Sequence, residues 1–399
     1  MNARPNSIDM PVPDTRAEGA ARARQLQLTK PPGSLGRLEE LACWFAARSS
    51  NPIPGNPRTE IFVFAADHGV AARGVSAFPQ SVTGQMLANF ATGGAAINVL
   101  ASLEDCRIEV VDVGVAGNLE LPRTVRNEKV RSGTRDLFAE AAMTDDELTA
   151  ALSAGERCAR EAIQRGAQLL IAGDMGIANT TSAACLICAF TYAPAEQIVG
   201  RGTGVDDLGL ARKREVVTAA LARARAAIPA PESDPTHTHP TRAHPTQAHP
   251  TQARQILAHL GGLEIAAMAG FYIEAARSAV PVLLDGYISG AAALAAVRLE
   301  PGALRWMLAS HQSAERGHAV ALQALGLTPL VDLGMRLGEG SGAALTLPII
   351  KAALCLHRNM ATFAQAGVDG ATPADATPAA ATPAAATPAD APRATAPPR

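Results

Sequence analysis

The sequence predicts an α/β protein: a parallel sheet covered by helices on both faces, with a small helical domain formed by the N- and C-terminal segments. Three observations lead there. Short apolar runs recur along the chain, each ending at glycine with an acid close by. A helical pattern lies downstream of each. Residues 14–50 carry helical patterns but no strand of their own. Continuous apolar strands that alternate with helices form parallel sheets buried on both sides. In such sheets ligands bind beyond the carboxyl ends of the strands, where these glycine- and acid-bearing turns fall.

Taken in order, the first helical segment is "ARARQLQLTKPPGSLGRLEELACWFAAR". It reads as a helix, a Pro-Gly turn and a second helix with Leu38, Leu41 and Phe45 along one side. It is expected to pack with the last helix, Ser341 to His357. The strands expected are "IFVFAADHG" (61–69), "RIEVVDVGV" (107–115), "QLLIAGDMG" (168–176), "VPVLLDGYI" (280–288) and "LVDLGMRLG" (330–338). One helical pattern spans "SVTGQMLANFATGGAAINVLASL". Another, "TDDELTAALSAGERCAREAIQRG", opens on Thr144 as its cap. "NTTSAACLICAF" and "SGAAALAAVRL" are further helices. The expected boundaries are 1–50 for the N-terminal helices, 51–338 for the large α/β domain and 339–368 for the closing helix.

Two segments stand outside that scheme. Residues from about 369 to 399 repeat Ala-Thr-Pro, a composition that cannot build a packed core. Residues 230–254 repeat His-Pro-Thr, carrying His237, His239, His244 and His249. Prolines bar the helix that would converge those imidazoles, so the stretch reads as a disordered, repeat-expanded surface loop rather than a metal site.

Composition narrows the function. The chain has 399 residues, 48% of them hydrophobic, enough to bury a sizeable core. Net charge is −2 with the basic residues dispersed, and aromatics make up 4%. Both argue against a nucleic-acid partner. No uninterrupted apolar run reads as a membrane span, and the N-terminus lacks the apolar core of a signal peptide. A cytoplasmic location is expected. Of the six cysteines, Cys185 and Cys188 form a CxxC with no second pair, set in an apolar helix; they read as small core residues.

Several turns could carry chemistry. "GDMGIANTT" (173–181) joins a strand to a helix; its glycines admit close approach, Asn179, Thr180 and Thr181 can cap, and the helix N-terminus favours an anion. "VGRGTGVDD" (199–207) resembles a dinucleotide fingerprint only loosely, because no clear strand precedes it. Lys213, in the helix that follows, could reach a phosphate. "SHQSAERGHAV" (310–320) lacks the elbow of a serine nucleophile, and Ser313 reads as a helix cap. "ADHGV" (66–70) has no partners at metal-ligand spacing. Glu339, between Gly338 and Gly340, reads either as a solvated acid at a helix start or as a carboxylate left open for a flat ligand.

Several pieces together resemble one family, the nicotinate-nucleotide–dimethylbenzimidazole phosphoribosyltransferases of cobalamin assembly. They are "KPPGSLGRLEELA" (30–42), "AADHGV" (65–70), "GDMGIANTTSAA" (173–184), "GGLEIAAMAGF" (261–271), "PVLLDGYISGAAALAA" (281–296), "SHQSAERGH" (310–318) and "LGMRLGEGSGAALTLPI" (333–349). They span nearly the whole ordered chain.

The resemblance implies a Rossmann-like sheet domain, a small helical domain and a homodimer. It implies phosphoribose transfer from nicotinate mononucleotide to 5,6-dimethylbenzimidazole, giving α-ribazole 5′-phosphate and nicotinate with inversion at C1′. The leaving pyridine nitrogen is already cationic, so neither an acid nor a metal clamp is needed, and no cofactor is expected. The family's base falls on Glu339. Gly176, Lys213 and Ser313 fall where the family contacts phosphate, with Gly202 and Gly204 in the neighbouring glycine turn. Arg336, Leu337, Gly338 and Gly340 flank the base, and Met175 and Met86 line the pocket for the acceptor. Asp174, Asn179 and Thr180 share the first turn; some members carry Glu where this chain has Asp174. Two other readings are a related transferase using adenine or another base, and a metal-storage protein built on the His-rich loop.

Overall fold

The computed structural model describes residues 10–117, 121–229 and 250–369. Two helices open the chain, α1 (Thr15–Gln27) and α2 (Arg37–Ser49). β1 (Thr59–Ala66), α3 (Ser81–Ala91), α4 (Ala96–Leu103), β2 (Arg107–Gly114) and β3 (Val125–Asn127) follow. Next come α5 (Asp145–Gln164), β4 (Leu169–Met175), α6 (Asn179–Thr191), α7 (Ala195–Ile198) and α8 (Asp207–Ala227). Then α9 (Pro250–Leu260), α10 (Leu263–Arg277), β5 (Val282–Leu284), α11 (Tyr287–Leu299) and β6 (Met307–Ala309) complete the sheet region. The chain ends with β7 (His311–Gln312), α12 (Arg316–Leu325), β8 (Val331–Asp332), α13 (Ser341–Asn359) and α14 (Phe363–Ala366).

Six strands form one parallel sheet in the order β3-β2-β1-β4-β5-β6. This is the doubly wound order, which reverses between β1 and β4 and opens a crevice at their carboxyl ends. Side chains alternate along each strand, so both faces must be covered. Phe62, Phe64 and Ala66 of β1 enter one apolar cluster with α5, α6, α10 and α11. Ile61, Val63 and Ala65 enter a second, together with Leu41 and Phe45 of α2 and Leu347, Ile350 and Leu354 of α13. The terminal helices thus cover the sheet's second face. They are tied to each other by Arg24, whose guanidinium donates to the carbonyls of His357 and Arg358, and by Gln25, hydrogen-bonded to the buried His357 ring.

Several expectations are corrected. The run at 330–338 gives only β8, paired with β7 in a separate two-stranded sheet. Sheet position six belongs to β6, a three-residue strand too short for an apolar run to stand out. The helical pattern at 81–103 is two helices, α3 and α4, broken at Gly93 and Gly94. By length and hydropathy that same stretch would suffice to cross a membrane, contrary to the reading of the sequence. Its glycine break divides it instead into two short helices whose buried residues, Leu87, Phe90 and Ile97 among them, join the second cluster. Thr144 caps α5 as expected, in a reciprocal box with Glu147. Most of the His-Pro-Thr repeat and the Ala-Thr-Pro tail lie outside the described residues. Residues 250–254 do not belong to a loop: they open α9, where Ala253, Ile256 and Leu257 are buried.

Helix α10 is buried along nearly its whole length and crosses α5 at two glycines. A Cβ at Gly155 would overlap the carbonyl oxygen of Ala267, and one at Gly270 would overlap that of Leu152. Helix propensity alone makes Gly155→Ala stabilising by about 1 kcal/mol. The steric clash should win, so a loss of about 1–3 kcal/mol is expected in urea unfolding. Removal of residues 232–249, stopping short of α9, should leave stability unchanged, which the melting curve of the shortened chain checks.

Candidate active site

The carboxyl ends of β1, β4 and β5 and the segment after β6 enclose a cavity of about 360 Å³. That lies within the roughly 300–1,000 Å³ of small-molecule sites. Its lining is in part apolar, with Val82 and Met86 one turn apart on α3 and with Met175, Leu337 and the exposed Phe78. It is in part polar, with Asn179, Thr180, Gly202, Ser313, Glu315 and Arg336.

Glu339 also lines the cavity and is 6% exposed. Three consecutive residues, Gly338, Glu339 and Gly340, take left-handed backbone angles of 87°, 64° and 86°. For a side chain bearing a Cβ this costs about 1–2 kcal/mol. Ser341 holds the turn from one side, its N–H and hydroxyl both donating to the Gly338 carbonyl. From the other side, Gly173 in the middle of β4 makes room: a Cβ there would overlap the Glu339 carbonyl and the Gly340 nitrogen. Burial pushes the Glu339 carboxyl above its ordinary value, and a hydrogen bond from the Ile97 N–H, in the first turn of α4, opposes that rise. Its Oε2 has no hydrogen-bond partner among the described residues. The acid is therefore not a solvated helix-start residue, and the helix start that faces it is α4, not α13.

The first turn of α6 differs from the expected capping. Its N-cap is Ala178, left-handed at φ 73°, with no side-chain hydrogen bond. The Asn179 amide turns back and donates to Asp174 Oδ2 at 2.8 Å. The helix N-terminus thus meets the cavity without a side-chain cap, its Asn179 and Thr181 N–H groups donating to the carbonyls of Gly176 and Ala178, and its dipole favours an anion there. Behind it Lys213 is buried, its Nζ donating to Thr180 Oγ1 at 2.7 Å. Burial pulls this ammonium down to about 8, and the nearby Glu315 carboxylate opposes the fall.

Asp174 is buried beside the Gly338 turn. Burial, then the neighbouring Asp285 carboxylate, push its carboxyl well above the usual range. Ser313 does not cap α12, which starts at Arg316 with Glu315 as N-cap. Instead Ser313 N–H donates to His318 Nδ1 at 2.8 Å, and its hydroxyl accepts from Glu315 N–H.

Of the residues singled out in the sequence, Met86, Asp174, Met175, Gly176, Asn179, Thr180, Gly202, Ser313, Arg336, Leu337, Gly338 and Glu339 line the cavity. Gly204, Lys213 and Gly340 do not: Lys213 lies one shell behind Thr180, Gly340 is backbone support, and Gly204 faces open space. Arg336 donates to the Gly202 carbonyl at 2.9 Å. Sequence reasoning passed over Phe78, Val82, Tyr287, Ile288, His311 and Glu315. Val82 could have been found from its i, i+4 spacing to Met86. Nothing local marks the others. Among the described residues no three His, Cys, Asp or Glu side chains converge as a metal site, and Cys185 and Cys188 are buried core residues with thiols raised by burial.

Comparison with known proteins bears on the same stretches. A family model described as phosphoribosyltransferase matches residues 10–368. The chain is 56% identical over 358 residues to a nicotinate-nucleotide–dimethylbenzimidazole phosphoribosyltransferase from Chromobacterium violaceum, covering 90% of this chain and 97% of that one. It is 49% identical over 364 residues to the protein of the same name from a Bradyrhizobium species, covering 91% and 97%. Its fold is similar to the crystal structure of CobT from Thermus thermophilus, with a TM-score of 0.79 and 46% identity over 89% of this chain and 99% of that one. A doubly wound sheet and a half-apolar, half-polar cavity at its carboxyl edge agree with that match, and the chain belongs to the nicotinate-nucleotide–dimethylbenzimidazole phosphoribosyltransferase family.

Proposed function

We propose that this enzyme transfers phosphoribose from nicotinate mononucleotide to 5,6-dimethylbenzimidazole, with Glu339 as general base, in building the nucleotide loop of cobalamin. The observation that carries the reading is a buried carboxylate with one oxygen unpartnered among the described residues, in a cavity also lined by apolar side chains and by a helix N-terminus without a side-chain cap. The phosphate goes to the start of α6, with Lys213 behind Thr180 supplying charge. The acceptor ring lies against Met86, Met175 and Leu337. Its nucleophilic nitrogen forms a bond to ribose C1′ while the C1′–pyridine bond breaks, and that electron pair neutralises the pyridinium. The proton on the acceptor's other nitrogen passes to Glu339. Burial makes the carboxylate a stronger base than one in water, which favours this transfer.

The active form is proposed as a homodimer in the cytoplasm. None of the six cysteines is paired in a disulfide, which suits a reducing compartment; the dimer is carried over from the family resemblance, and light scattering of the purified chain checks it.

The direct test offers nicotinate mononucleotide and dimethylbenzimidazole and follows products by chromatography. Wild-type enzyme should release nicotinate and α-ribazole 5′-phosphate in equal amounts. Glu339→Gln should lower turnover by roughly 10²–10⁴ with nucleotide affinity retained. Wild-type turnover in that variant would remove Glu339 as the base, and preferential conversion of adenine would move the chain to a transferase of another acceptor.

The pH profile follows from the same groups. Glu339 must be ionised to accept a proton, so activity should fall as pH drops through its raised value, above the usual 4.5 for a glutamate. Lys213 must be charged to hold phosphate, so kcat/KM for the nucleotide should fall above pH about 8. Bound phosphate favours the ammonium, so the basic limb of kcat should lie at higher pH than that of kcat/KM. Coincident basic limbs, or an acid limb at ordinary carboxylate pH, would contradict these roles.

A further inference from the structure

We propose that Asp285 is the residue that positions Glu339, holding the base turn, the start of α13 and the His311 segment in one register. Helix α13 has no capping side chain of its own, since its N-cap is Gly340. The cap comes from 55 residues earlier in sequence. Asp285 Oδ2 accepts from Gly340 N–H at 3.1 Å and its Oδ1 from Ala343 N–H at 3.0 Å, with Gly342 N–H also directed at it. Gly340 is the residue after the base, so this carboxylate fixes one end of the peptide that carries Glu339. Gly173 fixes the other side by admitting the turn against β4.

Asp285 is itself rigidly held. It follows β5, and its N–H donates to Ser289 Oγ at 3.0 Å, which in turn bonds the Tyr272 hydroxyl at 2.8 Å. Ser310 N–H and Oγ donate to the Leu284 carbonyl just before it. His311, which lines the cavity, brings Nε2 to 3.7 Å from Asp285 Oδ1 and packs its ring where Gly342 has no side chain. A single 1%-exposed carboxylate thereby couples three segments that meet at the base. The groups that face it are Asp174 from β4, Tyr272 from α10, His311 from β7, Glu339 and the α13 amides. Its negative charge also disfavours ionisation of Glu339, which makes the base stronger.

This inference rests on the proposed role of Glu339 and is tested beside it. Asp285→Asn keeps the shape, removes the charge and turns an amide NH₂ toward a backbone N–H. It should lower kcat roughly 10–100-fold, as a misplacement of about 1 Å does, leave KM for the nucleotide unchanged, and move the acid limb of kcat/KM to lower pH. Asp285→Glu keeps the charge but cannot keep both amide contacts; kcat should fall with the acid limb unmoved. A merely structural cap predicts a lower melting temperature with wild-type kcat and an unmoved limb in the folded Asn variant, and that result overturns the proposal. If Asp285→Asn fails to give a cooperative melt, wild-type kcat in Asp285→Glu overturns it equally. Glu339→Gln, run in the same assay, separates the two readings: if it retains turnover the base assignment fails, and if it alone is inactive the positioning role fails.

Discussion

A buried carboxylate with one oxygen left unpartnered among the described residues is the constraint on which this site depends. Removing such a group from water costs several kcal/mol unless hydrogen bonds or charge offset it. Glu339 receives one backbone N–H, from Ile97, and has one oxygen left over. The surrounding structure tolerates the deficit because the turn is fixed from three directions: Ser341 from the helix, Gly173 from the strand and Asp285 from the end of β5. A group held that firmly does not relax toward solvent, and its missing hydrogen bond remains available to a ligand.

The acids around it form a graded set rather than a cluster of equals. Burial pushes the Asp285 carboxyl up as well, but His311 and the amides of Ala343, Gly340 and Gly342 oppose that rise. Asp174 has only the Asn179 amide and lies beside other acids, so it is driven toward its neutral form. Deeper still, His68 and Glu264 pair at 2.6 Å, with neither exposed. Each acid differs in what it is hydrogen-bonded to, so the rise that burial causes is opposed to a different degree at Asp174 and at Asp285. The Thr180 side is built on the opposite logic: a buried ammonium held behind a threonine, at a helix start without a side-chain cap.

Glycine does much of the fitting. At Gly173, Gly155 and Gly270 it is absence of a side chain, not backbone freedom, that matters, because backbone from another element fills the space where a Cβ would stand. At Gly338 and Gly340 it is the left-handed conformation. The second kind can be read from a sequence as a turn; the first cannot, because the neighbour that needs the space is far away in the chain.

The same distinction governs what could be learned without coordinates. Strands β1, β2, β4 and β5 and the helices after them were legible because their apolar runs must be buried on both faces, and because Thr144 carries a capping box with Glu147. The glycine-flanked Glu339 and the turn at 173–181 were legible because local backbone demands select those residues. Strand β6 was not, since its three residues lack the longer apolar run in which β5, equally short, is set. Nor were the break in the helix read over 81–103, the Ser313 hydroxyl, which accepts from Glu315 N–H ahead of α12, or the start of α6, where Asn179 and Thr180 pair with Asp174 and Lys213 instead of the nearest amides. The roles of Asp285 and His311 also required the fold. The sequence by itself determined which segments become strands and helices and which turns can approach a ligand, because those follow from periodicity and backbone conformation. Only the tertiary structure decided that Asp285 caps a helix from across the sheet, and that Glu339 is buried with an oxygen to spare, because those depend on which atoms of remote segments come to lie within 3 to 4 Å.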